Sequence, residues 1–478
     1  MPIQSVNPAT GEVVATFDEH TAEQVDGALR QAVEAFAVMR RASFAERAGR
    51  LRAAADLLEA EADATARTMT LEMGKTLASA RAEVLKCAKG CRFYADRAEA
   101  LLADEPRDAG AVGATRAWVR YDPLGPVLAV MPWNFPLWQA VRFAAPALMA
   151  GNVVLLKHAS NVPQCALYLE SLFRRAGFPE GAFRTLLIPA SRVAEVIEDP
   201  RVVATTVTGS GPAGSAVAAA SGRALKPTVQ ELGGSDPFVV MPSADLVAAA
   251  AVATTARCQN NGQSCIAAKR FIVHADVADE FERRFADHLA ALVVGDPMAE
   301  STDVGPLATE QGRRDVEELV ADAVAKGARV VVGGTVPDGP GWYYPPTLIT
   351  GITQDMRLYG EEVFGPVAAL YRVASIDEAI ALANDTVFGL GANAWTNDPE
   401  EQDRFARELE AGMVFVNGMV TSYPELPFGG IKTSGFGREL GEPGIRAFCN
   451  TKTVWLSDRS AVPPAGAPAG GGVAAHSE

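Results

Sequence analysis

The sequence predicts an α/β protein built on parallel sheets, and three observations carry that reading. Short apolar runs rich in Val, Ile and Leu recur between residues 127 and 332, each too brief for a buried helix. Segments with helical periodicity separate them, and this alternation is the pattern of a parallel sheet covered by helices. At 478 residues the chain is long enough for roughly two to three domains and a large core.

The elements follow in order. Val25, Ala28, Leu29, Ala32, Val33 and Phe36 fall at helical spacing, so 21–60 reads as one or two amphipathic helices and 61–103 continues as Ala-rich helix. Cys87 and Cys91 stand at i, i+4 in that stretch and share a buried face. Thr115–Tyr121 is β-prone, and Pro123-Leu-Gly-Pro126 turns the chain into a strand over Val127–Met131. Val153–Leu156 is a strand, Pro163–Arg175 a helix, Arg184–Ile188 a strand, and Val202–Thr208 a strand leading into a glycine-rich turn and helix. After Gly234 come strand Phe238–Met241, helix 244–257, strand 270–273, helices 276–292 and 310–326, and strand 329–332. A second α/β domain therefore starts near 235. Asn450–Leu456 is β-prone, and the Pro/Ala/Gly-rich segment 459–478 is expected to be disordered.

Composition narrows the function. A formal charge of -15 argues against a nucleic-acid or anionic-membrane partner, leaving a small-molecule ligand. The six cysteines, at 87, 91, 165, 258, 265 and 449, show no CxxC spacing, which fits a reduced compartment and no metal site. The first residues lack a basic and apolar signal pattern, and no apolar run reaches the ~18 residues that span a bilayer. The expected location is the cytoplasm.

Gly209-Ser-Gly-Pro-Ala-Gly214 matches GxGxxG, with Glu231 placed where a ribose-binding acid would stand. Two features oppose that literal reading. The turn follows at least three strands, and Pro212 removes an early N–H that would hold phosphate.

A different constellation is more specific. Pro132-Trp-Asn-Phe-Pro136, Lys157, Thr208-Gly-Ser210, Glu231-Leu-Gly-Gly234, Gly262-Gln-Ser-Cys265, Glu361-Glu-Val-Phe-Gly-Pro366 and Pro427-Phe-Gly-Gly430 occur in this order. The chain resembles the NAD(P)-dependent aldehyde dehydrogenases from residue 1 to about 457. With Gln259-Asn-Asn-Gly262 and Tyr423-Pro-Glu-Leu-Pro-Phe-Gly-Gly430, it looks most like the bacterial succinate-semialdehyde group. The resemblance implies a Rossmann-like cofactor domain (1–113 and 127–233), an α/β catalytic domain (234–445) and a small β oligomerisation flap (114–126 and 446–457). That flap implies a homodimer or homotetramer.

The resemblance also implies roles. Cys265 is the nucleophile, forming a thiohemiacetal and then a thioester, and Glu231 activates the water that releases the acid. Asn134, with the Cys265 backbone N–H, stabilises the oxyanion. Lys157 and Ser160 contact the adenosine ribose, Glu362 and Phe364 hold the nicotinamide ribose and ring, and Trp133, Gly209 and Ser210 line the path. A glutamate at the Ser160 position would repel a 2′-phosphate, so serine beside Lys157 favours NADP, with NAD accepted.

Asn134, Trp138 and Arg142 fall at i, i+4, i+8, so a helix would set them along one face. Arg142 is expected to pair with a substrate carboxylate, Ser422 to add a hydroxyl, and Trp138 and Phe428 to wall off the methylenes. Succinic semialdehyde is the first choice, with glutaric semialdehyde next because one methylene changes binding by only ~1–3 kcal/mol. A cysteine hydrolase is the rival mechanism, but it needs a histidine base. Of the five histidines only His158 lies near a functional turn. The position two residues beyond Cys265 is Ala267, so no local disulfide switch with Cys258 is expected.

Overall fold

The computed structural model describes residues 2–458, so the segment 459–478 lies outside the described residues. A six-stranded sheet runs in the order Gly435–Phe436, Thr228–Glu231, Ala204–Thr208, Pro126–Met131, Val153–His158, Phe183–Thr185. Its neighbours are parallel, except that the two-residue edge strand runs antiparallel to Thr228–Glu231. From Pro126–Met131 the chain adds strands on one side, then returns to the other with Ala204–Thr208. The strand order therefore reverses between these two central strands, and a crevice opens beyond their carboxyl ends. Val127, Leu128 and Ala129 are fully buried because helices cover both faces.

Four N-terminal helices, Ala22–Met39, Phe44–Ala60, Ala62–Met73 and Leu77–Leu101, belong to this half. The first two start with capping boxes, Thr21 with Gln24 and Ser43 with Glu46, which satisfy otherwise orphaned N–H groups. Cys87 and Cys91 are fully buried, as their shared face predicts. Helix Trp138–Ala150 is buried all round, consistent with its apolar composition.

The second sheet has seven strands in the order Arg329–Val332, Thr347–Thr350, Val367–Val373, Ala268–His274, Asp236–Val240, Gly391–Trp395, Met413–Val416. Only its first pair is antiparallel. A separate antiparallel sheet joins Glu105–Arg107, Arg116–Pro123 and Cys449–Leu456, gaining a strand from outside the two β-prone segments. Trp455 and Leu456 stay exposed on it.

The strand expected over Arg184–Ile188 is shorter, at Phe183–Thr185. Leu186 N–H still reaches Leu156 O at 2.8 Å, but Ile188 N–H turns back to Leu186 O at 3.0 Å ahead of Pro189. Asn134 also lies outside the helix expected to carry it, because that helix begins at Trp138. Among the described residues no helix is long and apolar enough to cross a membrane.

Candidate active site

Cys265 sits on the loop joining helix Leu246–Cys258 to strand Ala268–His274. Three consecutive residues on that loop are left-handed: Asn260 (φ 54°), Asn261 (φ 57°) and Gly262 (φ 74°). Asparagine tolerates this region better than other side-chain-bearing residues, and here each side chain also ties the loop to neighbouring backbone. Asn260 Nδ2 donates to the carbonyls of Asn134 (2.8 Å) and Gln263 (2.9 Å). Asn261 Nδ2 donates to Gly74 O and Pro306 O, both at 2.9 Å, and its Oδ1 accepts from Gly305 N–H at 2.8 Å. A Cβ on Gly262 would stand 2.4 Å from the carbonyl carbon of Gly365. Lys269 clamps the far side, donating to Ser264 O (3.0 Å) and Cys265 O (2.8 Å). Burial pushes the Cys265 thiol up to about 11, with Arg142 and Lys269 pulling it down.

The Glu231-Leu-Gly-Gly234 motif has a steric reason. A Cβ on Gly233 would strike the Glu362 carboxylate, and one on Gly234 would stand 2.8 Å from Cys265 O. The glycines therefore admit both residues to the end of strand Thr228–Glu231. Glu362 Oε1 accepts from Gly234 N–H at 3.1 Å and pairs with Lys269 Nζ at 3.1 Å.

A cavity of about 250 Å³ opens at the reversal point of the first sheet. Trp133, Asn134, Cys265, Glu362 and Phe364 line it, together with Gly209 and Ser210. Trp133 and Phe364 meet edge to face with centroids 5.7 Å apart. Asn134 Nδ2 gives one N–H to Gln263 O at 3.2 Å, which leaves the second for an oxyanion. Ser210 starts helix Gly211–Arg223 without a side-chain cap bond, so its hydroxyl remains available. Gly214 lets that helix approach Leu232, whose Cδ2 would lie 2.4 Å from an added Cβ. Among the described residues no histidine faces the cavity, and His158 is buried against Pro136 O at 2.7 Å, its pKa lowered by burial to about 4.

Lys157 closes strand Val153–His158 at the same carboxyl edge and forms no ion pair among the described residues. Ser160 is exposed three residues on and stands outside the Cys265 cavity. Position 160 carries a serine rather than a carboxylate.

Glu231 does not face that cavity. It is 2 % exposed, and neither carboxylate oxygen has a hydrogen-bond partner. Its Oε1 lies against Gly429, where a Cβ would come within 2.6 Å. Burial, then the neighbouring Glu439 charge, push its pKa well above the usual carboxylate range, partly offset by Arg142 and Arg438.

Arg142 corrects the sequence expectation. Its guanidinium forms a buried ion pair with Glu439, donates to Thr208 Oγ1 at 3.2 Å and lies 4.3 Å from the Phe428 ring centroid. Phe428 thus covers this ion pair and is not among the residues lining the cavity. The partner stands 297 residues away in the chain, beyond the reach of any periodicity. Trp138 and Ser422 do meet, with Nε1 donating to Oγ at 3.0 Å. Four polar residues escaped sequence reasoning: Lys86, Gln139, Lys269 and Glu439. Gln139 adjoins Trp138 and faces the cavity with Oε1 unpaired, and Lys269 is only four residues past Cys265, so proximity to the motifs could have flagged both.

Fold and site define a class, that of dinucleotide-dependent oxidoreductases with a cysteine facing the cofactor crevice. The sequence profile described as "Aldehyde dehydrogenase family" matches residues 1–454, and the chain belongs to that family. It is 65% identical over 457 residues to the succinate-semialdehyde dehydrogenase [NADP(+)] of Mycobacterium avium, covering 95% of this chain and 97% of that one. The Mycobacterium tuberculosis H37Rv succinate-semialdehyde dehydrogenase [NADP(+)] 1 is equally similar, at 65% over 96% of this chain and all of that one. Among solved structures, the succinic semialdehyde dehydrogenase of Streptococcus pyogenes in complex with NADP+ superposes with a TM-score of 0.92 at 38% identity, covering 95% of this chain and 100% of that one.

Proposed function

We propose that this protein oxidises succinic semialdehyde to succinate with NADP+ as preferred oxidant, NAD+ being accepted. The observation that carries this reading is the convergence of Cys265 and Asn134 on one cavity at the crevice of a parallel sheet. The mycobacterial relatives support the substrate and the cofactor. The residues fit a dinucleotide: an unpaired Lys157 at the strand edge, an open position at Ser160, and Glu362 with Phe364 beside the thiol.

Cys265 Sγ, as thiolate, adds to the aldehyde carbon, and the carbonyl oxygen becomes an alkoxide. The free N–H of Asn134 donates to that oxygen, a contact worth ~3 kcal/mol at the transition state. When bound, the nicotinamide supplies the hydride acceptor that converts the thiohemiacetal to a thioester. Trp133 and Phe364 exclude bulk water from the thiol during this stage. Glu231 then rotates from Gly429 toward the thioester and, as carboxylate, takes a proton from the attacking water. The water oxygen attacks the acyl carbon, the C–S bond breaks, and succinate leaves with Cys265 restored.

The test is a steady-state panel of succinic semialdehyde, glutaric semialdehyde and butanal with each cofactor. Highest kcat/KM for succinic semialdehyde with NADP+ is expected. Equal values for butanal, or a strong preference for NAD+, would overturn the substrate or the cofactor assignment respectively. The exposed Trp455 and Leu456 support a homodimer or homotetramer through the three-stranded sheet, checked by light scattering after size exclusion.

A further inference from the structure

A buried ammonium is costly unless its N–H groups are engaged, and Lys269, on strand Ala268–His274, is only 1 % exposed. Its three N–H groups go to Ser264 O at 3.0 Å, Cys265 O at 2.8 Å and Glu362 Oε1 at 3.1 Å. All three acceptors lie outside the strands of its sheet. Two are the carbonyls on either side of the Cys265 α-carbon, and the third belongs to a carboxylate that lines the cavity with Cys265. Lys269 therefore joins the nucleophile loop to Glu362 through a single atom.

The Ser264 carbonyl and the Cys265 N–H share one planar trans peptide, so they point in opposite directions. Ser264 O is held by Lys269 and by Ala267 N–H at 3.1 Å. Fixing that oxygen fixes the direction of the Cys265 N–H, which donates to no group among the described residues. On the other side, Glu362 Oε1 is shared by Lys269 Nζ and Gly234 N–H, each at 3.1 Å. No hydrogen bond reaches Oε2 among the described residues, and the Glu362 side chain is 19 % exposed. One oxygen is anchored, and the other is left for a ligand hydroxyl.

We propose that Lys269 is a positioning residue that sets the register between the oxyanion donor at Cys265 and the Glu362 carboxylate. This rests on the proposed function, in which Glu362 receives the nicotinamide ribose. The ammonium touches no reacting atom. It keeps the nucleophile's peptide and the cofactor's anchor at one fixed separation, on which hydride transfer depends. Its charge also opposes that of Glu362, so the pair presents no net charge to an anionic dinucleotide.

The experiment compares wild type, Lys269→Met, Glu362→Gln and the double variant. Two quantities are read: the NADP+ dissociation constant, from quenching of protein fluorescence, and the rate constant of the reduced-nicotinamide burst with succinic semialdehyde. Lys269→Met is expected to weaken NADP+ binding about 10-fold, the scale of a charge-assisted contact, and to slow the burst at least ~10-fold. In the Glu362→Gln background its effect on NADP+ binding shrinks to within about 2-fold, while the slowing of the burst persists. A merely structural lysine would instead give effects on binding that multiply. That result, or a burst unchanged in Lys269→Met, overturns the assignment. Where Lys269→Met does not fold by circular dichroism, the same cycle with Lys269→Gln decides between these outcomes. A wild type that binds NADP+ but gives no burst contradicts the proposed function, and the binding cycle still decides the link between Lys269 and Glu362.

Discussion

The proposed nucleophile, Cys265, and the proposed base, Glu231, are held in opposite ways. The Cys265 loop is tied by two left-handed asparagines, an obligatory glycine and a lysine clamp. The Glu231 carboxyl is buried with no hydrogen bond at all and packs beside Gly429, away from the cavity. The difference matches their tasks. A nucleophile gains from fixed geometry, since attack depends on position. A base that acts only after the thioester forms gains from being free to move and from a raised pKa.

Ways to break this contrast run from the largest expected effect downward. Cys265→Ala should lower turnover by about 10⁴-fold or more, read by nicotinamide absorbance. Arg142→Met leaves Glu439 buried and unpaired beside Glu231, costing about 3–5 kcal/mol of stability, measured by denaturant unfolding. Asn134→Ala should reduce kcat by about 10²–10³-fold with the fold intact. Asn261→Ala removes three hydrogen bonds from the nucleophile loop and should cost about 2 kcal/mol or more, seen as a lower Tm. The smallest effect is in pH. Burial lifts the Cys265 thiol to about 11, with Arg142 and Lys269 pulling it down. The thiolate fraction therefore grows with pH, and kcat/KM should rise toward alkaline pH, read by nicotinamide absorbance.

Local chemistry was readable in advance, and long-range pairing was not. The αβ alternation and the shared buried face of Cys87 and Cys91 both follow from spacing. Arg142 was misread because an arginine at a helical interval shows its charge but not Glu439, which neutralises it from the other end of the chain. Lys86 was invisible for the converse reason. It lies in an ordinary Ala-rich helix, and only folding brings it to Ser422, 336 residues away. Asn260 and Asn261 read as a polar run, yet their backbone angles make them the hinge of the nucleophile loop.

The most direct test of a fixed nucleophile and a mobile base is rapid mixing of Glu231→Gln enzyme with succinic semialdehyde and NADP+. The expected record is a fast burst of one equivalent of reduced nicotinamide per site. A steady state about 10²-fold slower than wild type should follow, with the acyl group trapped on Cys265 and visible by mass spectrometry. Absence of a burst, or a steady state equal to wild type, would contradict the division of labour between Cys265 and Glu231.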